Sequence, residues 1–267
     1  MAEVTAVSQI LDWPEAPGST RVMENPKGNG MGRMGAIRGM LAGAMIGLGL
    51  AQGAVAGEGP VVVELFTSQG CSSCPPADAL LATLARRDDV LPLALHVDYW
   101  DYIGWADSFA NPAHTVRQKA YAHVARARTI YTPQMVVGGV DHLIGTRAME
   151  LGELIEAHGA RPSPVVLHVA RGSARLTIRA EARGPLPGVV VVQLVRFRPE
   201  ATVEIARGEN AGRTITYTNI VTDWREIGRW SGAAPLELAA DAPGPDRAAV
   251  IVQEEGPGAI LAAAVAP

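Results

Sequence analysis

Apolar positions in residues 60–160 follow two alternating periods, that of a buried strand and that of an amphipathic helix. Residues 61–66 are a short and nearly continuous apolar run, which is typical of a strand buried on both faces. A helical face with the spacing i, i+3, i+4 and i+7 follows, formed by Ala77, Leu80, Leu81 and Leu84. Residues 91–97 are a second apolar run and predict another strand.

The remainder of this region predicts two helices on either side of a hairpin. Asn111 and Pro112 are the residue types preferred at a helix start, and apolar residues continue at helical spacing to Val124. Residues 134–144 contain two short apolar segments joined by a pair of glycines, which is a hairpin signal. A last helix is predicted over residues 146–159, with a threonine at its start and a glycine at its end.

The helical period disappears beyond residues 161–164, Arg-Pro-Ser-Pro, which predict a linker because proline blocks helix continuation. Five β-rich segments separated by turn residues follow, at 174–182, 189–195, 214–221, 248–252 and 259–265. Short strands at this spacing predict an antiparallel sandwich. The predicted fold class is therefore an α/β domain over residues 59–160 followed by an antiparallel β-sandwich domain over residues 164–266.

The N-terminal segment is predicted to be removed from the mature protein. A basic segment precedes an uncharged apolar run over residues 39–50, and Ala54-Val55-Ala56 fits a signal-peptide cleavage site. The run is shorter than the ~20 residues of a membrane span, so we expect no anchor after cleavage near Ala56. Residues 1–30 have no place ahead of a signal peptide. We interpret them as an error in the gene model, with a start at Met31 or Met34, or as a disordered leader.

Composition limits the classes of partner. The chain carries a net charge of −4 and no basic stripe, so nucleic acid is not a predicted partner. Three Phe and five Tyr provide few rings for base stacking. The predicted export would place the protein in the periplasm or outside the cell, where cysteine pairs form disulfides.

Cys71 and Cys74 are the two cysteines of the chain and form a Cys-Ser-Ser-Cys motif between the first strand and the first helix. A structural zinc site needs four ligands and a disulfide scaffold needs several bridges, whereas a redox dithiol needs one such pair. We expect both sulfurs in the first helical turn, where unpaired N–H groups and the helix dipole favour a thiolate. Cys71 is the expected attacking thiolate, and Cys74 the resolving thiol.

Three features accompany this motif. It joins the first strand to the first helix, Thr132-Pro133 directly precedes the hairpin, and Glu64 lies seven residues before Cys71. With these features the chain resembles a family of secreted bacterial proteins, of the thioredoxin-like superfamily, known only as a domain of unknown function. The resemblance covers nearly all of residues 59–266 and includes three further segments, 69–76, 96–101 and 208–213.

The resemblance implies a thioredoxin-like fold and export, but no substrate. It also implies that Pro133 follows a cis peptide bond and faces the dithiol. The backbone N–H and C=O of Thr132 would then lie beside Cys71, ready to pair with a substrate strand. Glu64 would be a buried proton acceptor for Cys74; the alternative is a partly exposed strand residue.

Residues 98–109 hold an unusual concentration of aromatic and acidic side chains for a connector, and four are candidate substrate-binding residues: Tyr99, Trp100, Asp101 and Trp105. One interpretation is a substrate-binding rim over Cys71, since this loop follows the second strand at the same sheet edge. The other is an aromatic plug that packs the linker against the β domain, because aromatic side chains mostly serve packing.

Metal binding would require additional ligands besides the two thiolates, and the candidates are His96, His114, Asp98 and Asp101. The histidines lack paired metal-ligand spacing, so we predict neither a metal nor a cofactor. The sequence thus predicts an exported thiol–disulfide oxidoreductase whose partner is another exported protein. The alternatives are a thioredoxin-fold binding module with a structural disulfide, a copper- or zinc-handling protein, and an envelope protein that works through its β domain.

Overall fold

Strands and helices alternate in the first half of residues 59–267, the part of the chain that the computed structural model describes. The elements are β1 (Val61–Thr67), α1 (Pro75–Leu84), β2 (Val90–His96), a 3₁₀ turn (Asp101–Ile103), α2 (Pro112–Val124), β3 (Gln134–Val137), β4 (Asp141–Ile144) and α3 (Ala148–Gly159). Their order is the predicted one. The predicted signal peptide and leader lie outside the described residues.

The second half is made of strands. They are β5 (Val165–Arg171), β6 (Arg175–Ala182), β7 (Val190–Glu204), β8 (Thr214–Trp230), β9 (Leu236–Asp241), β10 (Arg247–Glu254) and β11 (Ile260–Val265). The structure adds β5 and β9 to the five predicted segments and extends β7 and β8 well beyond them. Charged residues on the exposed part of β8 interrupt the apolar pattern there, which is why its length was missed.

One eight-stranded sheet runs through both halves, in the order β11-β10-β7-β8-β2-β1-β3-β4. Strand β2 is parallel to β1 and also pairs with β8, where Ala94 lies opposite Ile220. The predicted ranges 59–160 and 164–266 therefore share a sheet. The strands β5, β6 and β9 form a separate antiparallel sheet. Its buried residues Leu176 and Ile178 pack with Val192 and Val250 of the large sheet.

Strand β1 lies in the interior of the sheet and is covered on both faces. Val63 and Leu65 pack with residues of α1 and α3. Val62 and Phe66, which point to the opposite face, pack with residues that include Phe197 of β7. The alternation of side chains along a strand places Glu64 on the face of Val62 and Phe66, away from α1.

Helix α1 begins later than the sequence analysis expected. Pro75 and Pro76 occupy its first positions, and Cys74 is the N-cap residue. Proline is favoured there because its missing N–H would have no partner in the first turn. Cys71 therefore lies in the turn before the helix. Among residues 59–267, no helix is long and apolar enough to cross a membrane.

Candidate active site

Cys71 and Cys74 form a disulfide, with their Cα atoms 5.4 Å apart. Both residues are buried, with exposed fractions of 2% and 0%. Two successive turns shape this loop, because the N–H of Cys71 donates to the Ser68 carbonyl and that of Cys74 donates to the Cys71 carbonyl. The Ser73 hydroxyl lies 3.4 Å from Cys71 Sγ, and the Ser73 side chain is on the surface. The surface next to the disulfide is thus polar and uncharged.

The Thr132–Pro133 peptide bond is cis, which confirms that part of the sequence expectation. Pro133 is buried and its carbonyl accepts a hydrogen bond from the N–H of Gly145. A Cβ atom at Gly145 would lie 3.1 Å from the Cβ of Ala77 and 3.1 Å from that of Pro133. The cis-proline segment therefore meets the first turn of α1 near Cys74.

Two tryptophans of the 98–109 loop bind the segments on either side of the disulfide. Trp100 Nε1 donates to Thr132 Oγ1 at 2.7 Å, next to the cis bond. Trp105 Nε1 donates to Gln69 Oε1 at 2.8 Å, two residues before Cys71. Both indoles are half-buried. The two side chains are therefore held in place by the loops that flank the disulfide.

The other two predicted rim residues stabilise the loop itself. Tyr99 donates its hydroxyl hydrogen to Gln118 Oε1 at 3.2 Å. Asp101 Oδ1 accepts the N–H of Asp107 at 3.0 Å. The ring that this loop presents to solvent belongs to Tyr102, which is 66% exposed and was not predicted as a site residue.

Glu64 is buried, but the structure does not bring it to Cys74. Its carboxylate accepts hydrogen bonds from Arg117 at 2.6 and 2.8 Å and from the Tyr121 hydroxyl at 2.5 Å. Burial alone would lower the pKa of Arg117, but the negative charge of Glu64 raises it above its ordinary value. The guanidinium also lies 3.8 Å from the centre of a Trp224 ring. Glu64 is thus part of an ion pair on the sheet face opposite α1.

Asp78 is the buried carboxyl group on the side of the disulfide, and the sequence analysis missed it. It follows Cys74 by four residues, a spacing that places both on one side of α1. Its Oδ1 accepts the Thr67 hydroxyl at 2.9 Å, while its Oδ2 has no hydrogen-bond partner within residues 59–267. Burial raises the pKa of Asp78 to about 7, and the charge of His96 opposes that rise. The sequence contained one signal for this buried acid, because Asp78 interrupts the apolar residues between Ala77 and Leu81.

His96 is fully buried at the end of β2, and the strand register places it opposite Thr67 of β1. Its Nδ1 lies 2.7 Å from Asp107 Oδ2. Its Nε2 has no partner in the portion of the chain that the structure describes. The group around Asp78 therefore contains a second buried polar atom without a protein partner.

The other candidate metal ligands have partners of their own. His114 Nδ1 is 2.8 Å from the His96 carbonyl, and Asp98 accepts the Thr115 hydroxyl at 2.5 Å. Burial lowers the pKa of His114 to about 4, so the ring is neutral at neutral pH. Within residues 59–267, no group of three or more His, Cys, Asp or Glu side chains could hold a metal ion.

The turn between β7 and β8 reaches across from the second half to the disulfide loop. Asn210 is buried, and its Nδ2 donates to the carbonyls of Gln69 and Cys71, both at 2.9 Å. Gly208 has a φ of +78°, and a Cβ atom there would lie 3.2 Å from the Cβ of Trp105. A glycine is needed at this point because a side chain would be strained and crowded. Asn210 is a site residue whose role sequence reasoning did not predict.

Comparisons with known proteins place the chain in a family. The model described as "Protein of unknown function (DUF1223)" matches residues 62–253. A crystal structure of protein AGR_C_4864 from Agrobacterium tumefaciens is similar, with a TM-score of 0.68 and 32% sequence identity. The match covers 79% of this chain and 95% of that one. No match was found among curated proteins. The chain belongs to the DUF1223 family, which confirms the predicted membership of a family known only as a domain of unknown function.

Proposed function

We propose that this protein is an exported thiol–disulfide oxidoreductase with a thioredoxin-like active site. The observation that carries the proposal is the Cys71–Cys74 disulfide between β1 and α1, a helix whose Ala77 lies beside the cis-Pro133 segment at Gly145. The order of the elements is also that of a thioredoxin-like fold. A lone Cys-x-x-Cys pair on such a scaffold suits reversible exchange with a second dithiol.

The exchange proceeds in two displacements. A substrate thiolate attacks Cys71 Sγ, the bond between Cys71 and Cys74 breaks, and its electron pair leaves on Cys74 Sγ. This gives a mixed disulfide between the substrate and Cys71. The second substrate thiolate then attacks the substrate sulfur of that bond and releases Cys71 as a thiolate, so the substrate is oxidised and the protein is reduced. The reverse sequence reduces a substrate disulfide.

The leaving Cys74 thiolate is buried and needs a proton, because an unpaired buried charge is unstable. Asp78 is the candidate donor, since it follows Cys74 by one helical turn and its pKa of about 7 keeps a proton available near neutral pH. Ser72 and Ser73 offer no positive charge to a Cys71 thiolate. We therefore expect a reduction potential between those of strongly reducing and strongly oxidising dithiols.

The proposed partner is another exported protein, and the proposed location is the periplasm or the exterior. The polar, uncharged surface at Ser72 and Ser73 and the backbone of Thr132 would contact its strand. Trp100 and Trp105 would border that strand from the 98–109 loop. Sequencing the N-terminus of the exported protein tests the location, with Gly57 expected as the first residue. An intact Met1 in the cytoplasm would contradict it.

Cysteine variants of the full chain test the activity. Cys74→Ser should accumulate mixed disulfides with envelope proteins, whereas Cys71→Ser should form none and should not exchange with a dithiol peptide. Ser73→Ala is the matched control, because it changes the motif but keeps both sulfurs. Iodoacetamide should alkylate the reduced protein first at Cys71. If it reacts first at Cys74, or if neither thiol reacts below the pH at which free cysteine reacts, the pair is not an activated dithiol.

A binding module with a structural disulfide is the second candidate, and the burial of both sulfurs favours it. Structural disulfides resist the glutathione pool and have potentials below about −300 mV. A measured potential in that range, together with unreactive thiols, would support this candidate. A potential near those of the exchange proteins would support the oxidoreductase.

A further inference from the structure

Two buried polar atoms without protein partners lie in the space between β1, β2 and α1. Within residues 59–267, Asp78 Oδ2 and His96 Nε2 are the two atoms there that have no hydrogen-bond partner. Thr67 connects them, because its hydroxyl holds the other oxygen of Asp78 and it stands opposite His96 in the pairing of β1 with β2. Side chains of such a pair lie on the same face of the sheet. The carboxyl and the imidazole are therefore neighbours under the first turn of α1.

Four titratable groups face His96 from the elements packed around it. Asp78 belongs to α1, Asp107 to the loop after β2, Tyr217 to β8 and His114 to α2. Burial raises the pKa of Tyr217 above its ordinary value and lowers that of His114 to about 4, so both are neutral at neutral pH. Asp78 and Asp107 are therefore the acidic groups next to the imidazole.

Asp107 fixes the orientation of the His96 ring. Its Oδ2 binds Nδ1 at 2.7 Å and also accepts the N–H of Gln69 at 2.7 Å, while its Oδ1 accepts the N–H of Phe109 at 2.8 Å. The rings of Phe109 and Tyr217 pack edge-on against the imidazole, with centroids 5.2 and 4.9 Å away. The ring thus cannot turn freely, and Nε2 remains directed away from Asp107.

We propose that His96, oriented by Asp107, exchanges a proton with Asp78 through one buried water and thereby supplies the proton that Cys74 takes up when the disulfide opens. Asp78 Oδ2 and His96 Nε2 would each supply one of the hydrogen bonds that a buried water needs. This inference rests on the proposed oxidoreductase function. His96 acts through Asp78 and is a positioning residue, because it does not touch the reacting sulfurs.

The proton balance is as follows. When the disulfide opens, Asp78 gives its proton to the Cys74 thiolate and becomes a carboxylate. The His96 imidazolium then passes its Nε2 proton through the water to Asp78, and the imidazole is left neutral with its Nδ1 proton on the Asp107 side. When the disulfide forms again, the proton of Cys74 returns along the same groups. Every group regains its starting state after one cycle of reduction and oxidation.

The test compares pH profiles of disulfide opening. His96→Asn keeps an N–H donor at the position of Nδ1 for Asp107 but removes Nε2. The full chain is reduced with the same dithiol at each pH, and the ratio of variant to wild-type rates cancels the ionisation of the reductant. We expect His96→Asn to slow opening about tenfold near pH 7 and to change the shape of the profile, as expected for loss of a proton-transfer group. The control His114→Asn should keep the wild-type profile.

A second measurement keeps the inference testable if His96→Asn does not fold. In wild-type protein, the ¹⁵N resonances of His96 should respond in the pH range where the Asp78 carboxyl carbon titrates, and Asp78→Asn should abolish that response. An unchanged His96 titration in Asp78→Asn would overturn the inference. So would a wild-type rate profile in His96→Asn. If Cys74→Ser still forms mixed disulfides in that case, the oxidoreductase function stands without the relay. If Cys74→Ser forms none, the proposed function has failed.

Discussion

Glu64 and Asp78 are both buried carboxyl groups, but they lie on opposite faces of the central sheet and have different partners. Glu64 accepts three hydrogen bonds, from Arg117 and Tyr121, and one of these partners carries a full positive charge. Asp78 accepts one hydrogen bond, from Thr67, and its second oxygen has no protein partner among the residues that the structure describes. One carboxyl is fully paired and the other is only half satisfied.

This difference separates an acid that stays charged from an acid that can carry a proton near neutral pH. A buried charge with an ionic partner stays charged, and removing the partner is strongly destabilising. A buried carboxyl without one is easier to protonate, and burial raises the pKa of Asp78 to about 7 accordingly. A perturbed acid beside a dithiol is a candidate for proton transfer. The sequence alone did not show which of the two carboxyl groups has an ionic partner.

The Glu64 side also joins the two halves of the chain. Arg117 donates to Gln253 Oε1 at 3.1 Å, and Gln253 donates to the Tyr121 hydroxyl at 2.9 Å. Gln253 lies on β10, so the ion pair is connected to the second half by side-chain hydrogen bonds. The Asp78 side is joined to that half by Asn210, whose amide holds the disulfide loop. The connection through Gln253 stabilises the fold, whereas the connection through Asn210 lies next to the disulfide.

The largest expected effect comes from removing the partner of Glu64. Arg117→Met should lower the free energy of unfolding by about 3–5 kcal/mol, because it leaves an uncompensated buried carboxylate. Urea unfolding of the oxidised chain measures this. Arg87→Met is the control, since Arg87 forms an exposed pair with Asp89 that is worth at most about 1 kcal/mol. Equal losses of unfolding free energy in the two variants would show that Glu64 does not have this structural role.

Asp78 should make stability depend on pH in the opposite sense to a paired carboxylate. Its folded pKa of about 7 exceeds the ordinary value of ~3.9, so the folded state binds more protons than the unfolded state between these values. The contribution of Asp78 to the free energy of unfolding is therefore greatest below pH 4. It falls by up to about 1.4 kcal/mol per pH unit as the pH rises towards 7.

Asp78→Asn should remove this contribution and flatten the stability profile of the oxidised protein between pH 4 and 7. Denaturant unfolding at several pH values provides the measurement. Asp89→Asn is the control, because Asp89 is exposed and its hydrogen bond to Arg87 lowers its pKa. An Asp78→Asn profile as steep as that of the wild type would show that Asp78 does not carry the proton.

Asn210→Ala should have the smallest effect on stability and a specific effect on the site. It removes two hydrogen bonds to the disulfide loop and should cost about 1–3 kcal/mol. The freed loop should also be reduced several-fold faster by a dithiol. Asn219→Ala removes a similar bond, to the Pro92 carbonyl at 2.9 Å, and should leave the reduction rate unchanged. Equal reduction rates in the two variants would contradict a role for Asn210 at the disulfide.

Features that depend on neighbouring residues could be predicted from the sequence. Apolar periodicity predicted the order of elements from β1 to α3 and placed the Cys-x-x-Cys pair at the junction between β1 and α1. The position of Thr132-Pro133 before the hairpin led to the cis bond. Such features follow from local packing periods and turn chemistry, which are written in a few consecutive residues. The two prolines at the start of α1 belong to this class too, although their effect on Cys71 was overlooked.

Contacts between side chains that are far apart in the sequence could not be predicted. Glu64 is paired with Arg117, 53 residues away, and Asn210 binds the Cys71 carbonyl from 139 residues away. The pairing of β8 with β2 makes one sheet of the two predicted regions, and the register of β1 with β2 brings His96 to Asp78. Contacts of this kind depend on how distant elements pack, and no local pattern of residues encodes them. The motif was therefore predictable from the sequence, but the partners of the buried acids Glu64 and Asp78 were not.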